Sequence, residues 1–145
     1  MTGRRFTFAP DARLVRKVRT EARSTAAALG APADACDAVA LVVDELVNNA
    51  LEHGAQYRSA GRQLSLALSM QAGRIAIDFV DPEMPEPLVL DLAAAFSEAA
   101  NGMPSLASER GRGLFLISIY LEELRVAVAE GGGMHLHGRL AASSG

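Results

Sequence analysis

The stretch DELVNNALEHG, residues 44–54, decides how the chain is read, because it carries polar groups where a core helix would not take them. On a helix of about 3.6 residues per turn, Val39, Val43, Leu46 and Ala50 share one face. Glu45, Asn49 and His53, spaced by four, line the edge of that face, and Asp44, Asn48 and Glu52 turn to water. The edge stripe is therefore expected to be half buried, where an amide or carboxylate without a partner costs roughly 1–3 kcal/mol. Either the fold supplies the partners, as for an ordinary amphipathic helix, or a ligand does. The residue types give the second reading its chemistry. The Asn49 amide offers a neutral oxygen to a hard cation such as Mg²⁺, which prefers oxygen donors and keeps waters and phosphate oxygens besides. One turn earlier, Glu45 is placed to take a proton from a hydroxyl or water attacking a phosphate.

Working outward, Pro32 opens this helix and Gly54 suits the left-handed position just past its end, so the helix is predicted over residues 32–53. Ahead of it, residues 4–8 alternate and stop at Pro10, which reads as a short first strand suited to a sheet edge. Residues 11–29 set Leu14, Val15, Val18 and Ala22 at helical spacing, with Asp11 to help cap the start and Gly30 to end the helix. Arg13, Arg16, Lys17 and Arg19 then face outward, as a solvated face or as a basic surface for a protein partner. Beyond the central helix, residues 55–62 read as a loop. Residues 63–70 alternate strictly, with Leu64, Leu66, Leu68 and Met70 on one side. After a turn at Gln71-Ala72-Gly73, Ile75, Ile77 and Phe79 do the same, giving an antiparallel hairpin with one wet face. Asp81 continues that series to the helix-covered side, while Asp78 points away.

Residues 86–110 are proline-rich, then alanine-rich, then turn at Asn101-Gly102-Met103-Pro104. So long and weakly patterned a segment is a functional flap or a plain surface excursion. Glu109-Arg110-Gly111-Arg112-Gly113-Leu114-Phe115 follows, a Gly-x-Gly turn leading into an apolar helix that ends near Leu121. Backbone N–H groups at such a start point outward unpaired and favour phosphate oxygens. Leu124, Val126 and Val128 mark a fourth strand, Gly131-Gly132-Gly133 a turn, and Met134, Leu136 and Leu140 a fifth strand. His135 and His137 take the opposite parity, which reads as a wet face rather than a metal pair. The final AASSG reads as a frayed tail, and the chain shows no internal repeat.

The chain has 145 residues, enough for one domain with a real core, so residues 1–145 are read as a single domain. Half of the residues are hydrophobic and 21% are charged, a globular composition. A net charge of −3 argues against holding nucleic acid by phosphate neutralisation. The lone Cys36 lies among alanines and is expected to pack. No apolar run reaches the roughly 18 residues of a membrane span, and the start lacks a signal-peptide pattern, so a cytoplasmic location is expected.

Glu45-x-x-x-Asn49-Ala50-x-x-His53-Gly54 resembles the N-box of the GHKL-type ATPases. In this short form the chain most resembles the bacterial anti-sigma-factor serine/threonine kinases. The resemblance implies a histidine-kinase-like ATPase fold: an α/β two-layer sandwich, a mostly antiparallel five-stranded sheet covered on one face by three helices. Residues 86–110 would be the ATP lid, with a short helix near residues 91–99. ATP and Mg²⁺ are the implied cofactors, with Asn49 on the metal, Glu45 as the catalytic base and His53 lining the site. Asp81 matches the aspartate of the family's Asp-x-Gly-x-Gly turn, which accepts a hydrogen bond from the adenine amino group, and Met84 is counted with it among the nucleotide contacts. Here Pro82, Glu83, Met84 and Pro85 replace the glycine-bearing turn, removing the close backbone approach that glycine permits. Gly111, Gly113 and Leu114 match the third motif, which holds the phosphates. Arg110 stands where the family commonly has a small residue, and Arg110 and Arg112 are candidates for the γ-phosphate or for exposed salt bridges.

The implied activity is phosphorylation of an anti-sigma-factor antagonist on serine or threonine, together with sequestration of a sigma factor. A homodimer is implied, with no direct contact to nucleic acid or membrane. The competing class is a non-catalytic or weakly ATP-binding regulatory module that works by protein contact. A histidine-kinase catalytic domain cut loose from its sensor is disfavoured, since the chain shows no dimerisation helix bearing a phospho-acceptor and the lid is short.

Overall fold

Strict alternation over two neighbouring segments builds the central hairpin: β2 spans Leu64–Gln71 and β3 spans Arg74–Asp81. Ala72 and Gly73 join them with φ of 51° and 78°, the pair of positive values that matches the right-handed twist of the strands. The computed structural model describes residues 2–59, 61–100 and 109–142. Thr2–Phe8 forms β1, Glu123–Val128 forms β4 and Met134–Ala141 forms β5. The sheet runs β1-β2-β3-β5-β4, every neighbour antiparallel, with β1 at an edge as its terminal position suggested.

Register decides which side chains meet the core. Phe6, Leu66, Phe79, Leu136 and Val126 stand in one row across the strands on the helix-covered face. The neighbouring row, Arg5, Ala67, Asp78, His137 and Arg125, belongs to the other face. There His135 Nε2 and His137 Nδ1 each lie 2.8 Å from the same Asp78 oxygen, so the wet-face reading of both histidines stands. On the covered face Gly138 leaves room for Leu121, whose Cδ1 would lie 2.7 Å from a Cβ at that position.

Four α-helices, rather than three, appear among the described residues: α1 Val15–Ala28, α2 Ala33–Gly54, α3 Glu86–Ala100 and α4 Glu109–Tyr120. A short 3-10 turn precedes α1, where the Asp11 carboxylate accepts a hydrogen bond from Arg13 N at 2.8 Å. The Arg13 guanidinium, and after it that backbone contact, hold the Asp11 carboxyl down at about 2. Gly30, just past α1, has a φ of 100° and ends the helix as expected.

Gly54 departs from its expected place. It is the last residue of α2, carries no positive φ, and Ala55 follows it in helical conformation. The larger difference is α3. The expected short helix inside a weakly anchored flap is a 15-residue helix whose Val89, Leu92, Phe96 and Ala99 are buried. These residues recur at helical spacing, and the helix packs on α4 and β4. The rest of the expected lid, residues 101–108, lies outside the described residues, as do residues 143–145 of the expected tail. α1 and α2 pack together over the β2 side of the sheet, so the helices form one layer on one face. Cys36 is buried, its thiol pushed up by that burial. No helix among the described residues is long and apolar enough to cross a membrane.

Candidate nucleotide site

α2 carries its polar stripe as its periodicity dictates: Glu45, Asn49 and His53 are half buried, while Asn48 and Glu52 are exposed. Asp44 is half buried rather than turned fully to water. Its carboxylate pairs with Arg19 at 3.6 Å and accepts from Asn48 Nδ2 at 3.4 Å. Neither the Glu45 carboxylate nor the Asn49 amide makes a hydrogen bond or ion pair among the described residues. Burial, then the charges of Asp44 and Glu52, raises the Glu45 carboxyl above the ordinary glutamate value. A group so shifted takes up a proton more readily, as a general base requires.

The start of α4 reaches this stripe. A Cβ at Gly113 would lie only 2.7 Å from Glu45 Oε2, so glycine is what admits the carboxylate there. Leu114 is buried in the core and anchors the helix beside that contact. α4 begins at Glu109, so Gly111 and Gly113 lie inside its first two turns instead of in a turn ahead of it. The orphan N–H groups of the helix start are thereby moved upstream to residues 109–112. The side chains of Arg110 and Arg112 lie outside what the structure describes.

Asp81 ends β3 on the covered face, as its parity predicted, and is fully buried. Its carboxylate is already engaged. Tyr57 Oη donates to one oxygen at 2.7 Å, and Arg58 forks across both, Nη1 at 2.9 Å and Nη2 at 2.7 Å. Glu83 N donates at 3.2 Å. Arg58 Nη2 also donates to Ala50 O at 3.1 Å, which ties the guanidinium to α2. A Cβ at Gly54 would lie 2.5 Å from Arg58 Nε, so this glycine serves the packing of Arg58 and not a left-handed cap. Burial and donation to Asp81 push the Tyr57 hydroxyl up. Burial pulls the Arg58 guanidinium down, but the hydrogen bonds and charge of Asp81 outweigh it and the net shift is upward.

The turn after Asp81 is stitched to the α2–β2 loop as well. The Glu83 carboxylate accepts from Ser59 N at 3.0 Å and Arg62 N at 2.8 Å. Met84 is buried in the core cluster. None of residues 82–85 has a positive φ, which explains how the turn is built without the family's glycines. Tyr57 and Arg58 are neighbours of Asp81 that the sequence did not reveal. The available signal was Asp81 itself, because a carboxylate predicted to be buried demands cationic or hydrogen-bonding partners.

The meeting of the α2 stripe with the glycine-bearing start of α4, over an open antiparallel sheet, defines an ATPase-like α/β sandwich. The family model described as the histidine kinase-like ATPase domain matches residues 8–137, and the chain belongs to that family. Among solved structures it is similar to a chain in the crystal structure of the SiaB-SiaC complex from Pseudomonas aeruginosa. That likeness has a TM-score of 0.70 at 16% identity, over 94% of this chain and 88% of the other. No curated protein matches the chain. The family implies ATP binding. Of the residues assigned by resemblance to the phosphate end, Glu45 and Asn49 make no hydrogen bond or ion pair among the described residues, and Glu45 lies beside Gly113. The base end fits differently, since Arg58 already occupies the Asp81 carboxylate.

Proposed function

We propose that the protein is an ATP-dependent serine/threonine kinase acting as an anti-sigma factor, which phosphorylates an antagonist protein and sequesters a sigma factor. The observation that carries this reading is the approach of Glu45 to Gly113, which brings a carboxylate of raised proton affinity to the start of α4. Mg-ATP supplies the transferable phosphoryl group. Asn49 offers its amide oxygen to the metal, His53 lines the same stripe, and the α4 start at residues 109–112, Gly111 among them, offers backbone N–H groups to phosphate oxygens, with Gly113 and Leu114 seating that start beside Glu45. Glu45 takes the proton from the attacking hydroxyl. Asp81 and Met84 stand at the base end, and Arg110 and Arg112 supply positive charge near the phosphates. Protein partners rather than nucleic acid suit a chain of net charge −3, and the reading places it in the cytoplasm as a homodimer. A fold relative captured in a two-protein complex supports partner binding.

The test is incubation with labelled ATP and the products of neighbouring genes. Glu45→Gln is expected to slow phosphotransfer roughly 10²–10⁴-fold while Mg-ATP still binds. Transfer at the parent rate would remove Glu45 from its role.

One observation favours the second reading, a regulatory module that works by contact alone: the engagement of Asp81 by Arg58. A module of that kind would capture its partner equally well with and without Mg-ATP and leave it unphosphorylated.

A further inference from the structure

The four donors on Asp81 leave no room for a fifth. An ionised carboxylate offers about four lone-pair sites. Here Oδ1 takes Arg58 Nη1 and Glu83 N, and Oδ2 takes Arg58 Nη2 and Tyr57 Oη. The Arg58 side chain is 13% exposed and Asp81 is 0% exposed, so the pair sits beneath the surface. A purine amino group is neutral and would bring one N–H to this carboxylate, whereas Arg58 brings two in a charged, planar fork. Either donor would make a charge-assisted bond to the ionised Asp81, but the fork makes two in parallel and brings the countercharge a buried carboxylate needs, so the exchange runs against the base. The arrangement is also built into the backbone. Gly54 makes space for the guanidinium against α2, Ala50 O holds it, and Glu83 fastens the loop that carries it to the turn after Asp81.

We propose that Arg58 is a built-in competitor of the nucleobase, so that the resting chain holds a nucleoside triphosphate by its phosphates and metal without selecting the base. The proposal rests on the reading of Asp81 as the base contact. Displacing Arg58 is then what turns on adenine selection, and a partner that draws this side chain outward would couple docking to nucleotide choice.

Calorimetric titration of the full chain with Mg-ATP, Mg-GTP and Mg-tripolyphosphate tests it. The parent is expected to bind all three within about threefold. Two variants free the carboxylate by different routes. Arg58→Met keeps the aliphatic stem and removes the fork. Gly54→Ala keeps every polar group but sets a Cβ where the guanidinium lies, and alanine is the better helix former. In either variant the ratio of ATP to GTP affinity is expected to rise at least about tenfold, the weight of one hydrogen bond to a charged acceptor. Should Arg58→Met fail to fold by circular dichroism, Gly54→Ala and the parent's own selectivity still decide. A parent that already prefers ATP by about tenfold overturns the proposal and leaves the kinase reading standing. Folded variants that stay unselective overturn it too. If neither parent nor variants bind any of the three ligands, the nucleotide reading itself fails, and the proposal fails with it.

Discussion

The two polar regions beside α2 are built on opposite plans. Around Glu45 and Asn49 the side chains are half buried and take no hydrogen bond or ion pair among the described residues. Around Asp81 the carboxylate is fully buried and collects four donors from three residues. Polar groups removed from water need partners, and a fold that withholds them at one place while doubling them at another separates ligand-holding from scaffolding. On the proposed reading, the first is the phosphate end, left open for something outside the chain. The second, the base end on that reading, is a strut between the α2–β2 loop and the end of β3.

The largest expected effect lies at the strut. Asp81→Leu leaves Arg58 charged and nearly buried with no carboxylate, and it should cost about 3–5 kcal/mol in denaturant unfolding. Asp81→Leu combined with Arg58→Leu should recover most of that loss, as buried pairs replaced together usually do. Asn49→Ala, by contrast, should fall within roughly 1 kcal/mol of the parent. Equal costs at the two ends would erase the distinction. Next in size is Gly113→Ala. Its Cβ would meet Glu45 Oε2 at 2.7 Å, and the flexible carboxylate must swing away. Alanine also favours the helix by up to about 1 kcal/mol, so the melting temperature should hold or rise. Phosphotransfer should nonetheless drop by about 100-fold, the scale of misplacing a reacting group by about an ångström. A Gly113→Ala protein of parental activity would show that Glu45 does not need its position against α4.

How far these two ends could be read beforehand depends on the range of the forces that make them. Half-burial of Glu45, Asn49 and His53 follows from helical periodicity alone, and so does the inward turn of Asp81 from the alternation of β3. Such patterns are local and survive in the sequence. The Arg58–Asp81 pair spans 23 residues and depends on how the α2–β2 loop folds back over β3, which no periodicity records. The buried stripe of α3 was hidden for a different reason. Ala93, Ala94 and Ala95 fill the space between Leu92 and Phe96 and blur the apolar stripe, and Pro85 and Pro87 suggested a loop at what is its start. The start of α4 escaped because glycines are poor helix formers, yet Gly111 and Gly113 lie within the helix, held there by neighbours such as Leu114.

The smallest effect concerns the open end and has a definite sign. Burial, followed by the charges of Asp44 and Glu52, raises the Glu45 carboxyl in the folded protein, so the native state binds its proton more tightly than the unfolded chain does. Stability contributed by this group must then fall as pH rises from the ordinary glutamate value through the raised native one, and stay lowered above it. Glu45→Gln removes that dependence. The variant should match or exceed the parent near neutral pH, by no more than about 0.5 kcal/mol because the group is half exposed, and the gain should vanish near pH 4. Thermal unfolding of both proteins across that range measures it. If Glu45→Gln were instead clearly less stable at neutral pH, the carboxylate would be holding a partner within the chain. Glu45 would then belong with Asp81 as a structural tie, and the stripe on α2 would lose its claim to be held open for a phosphate and its metal.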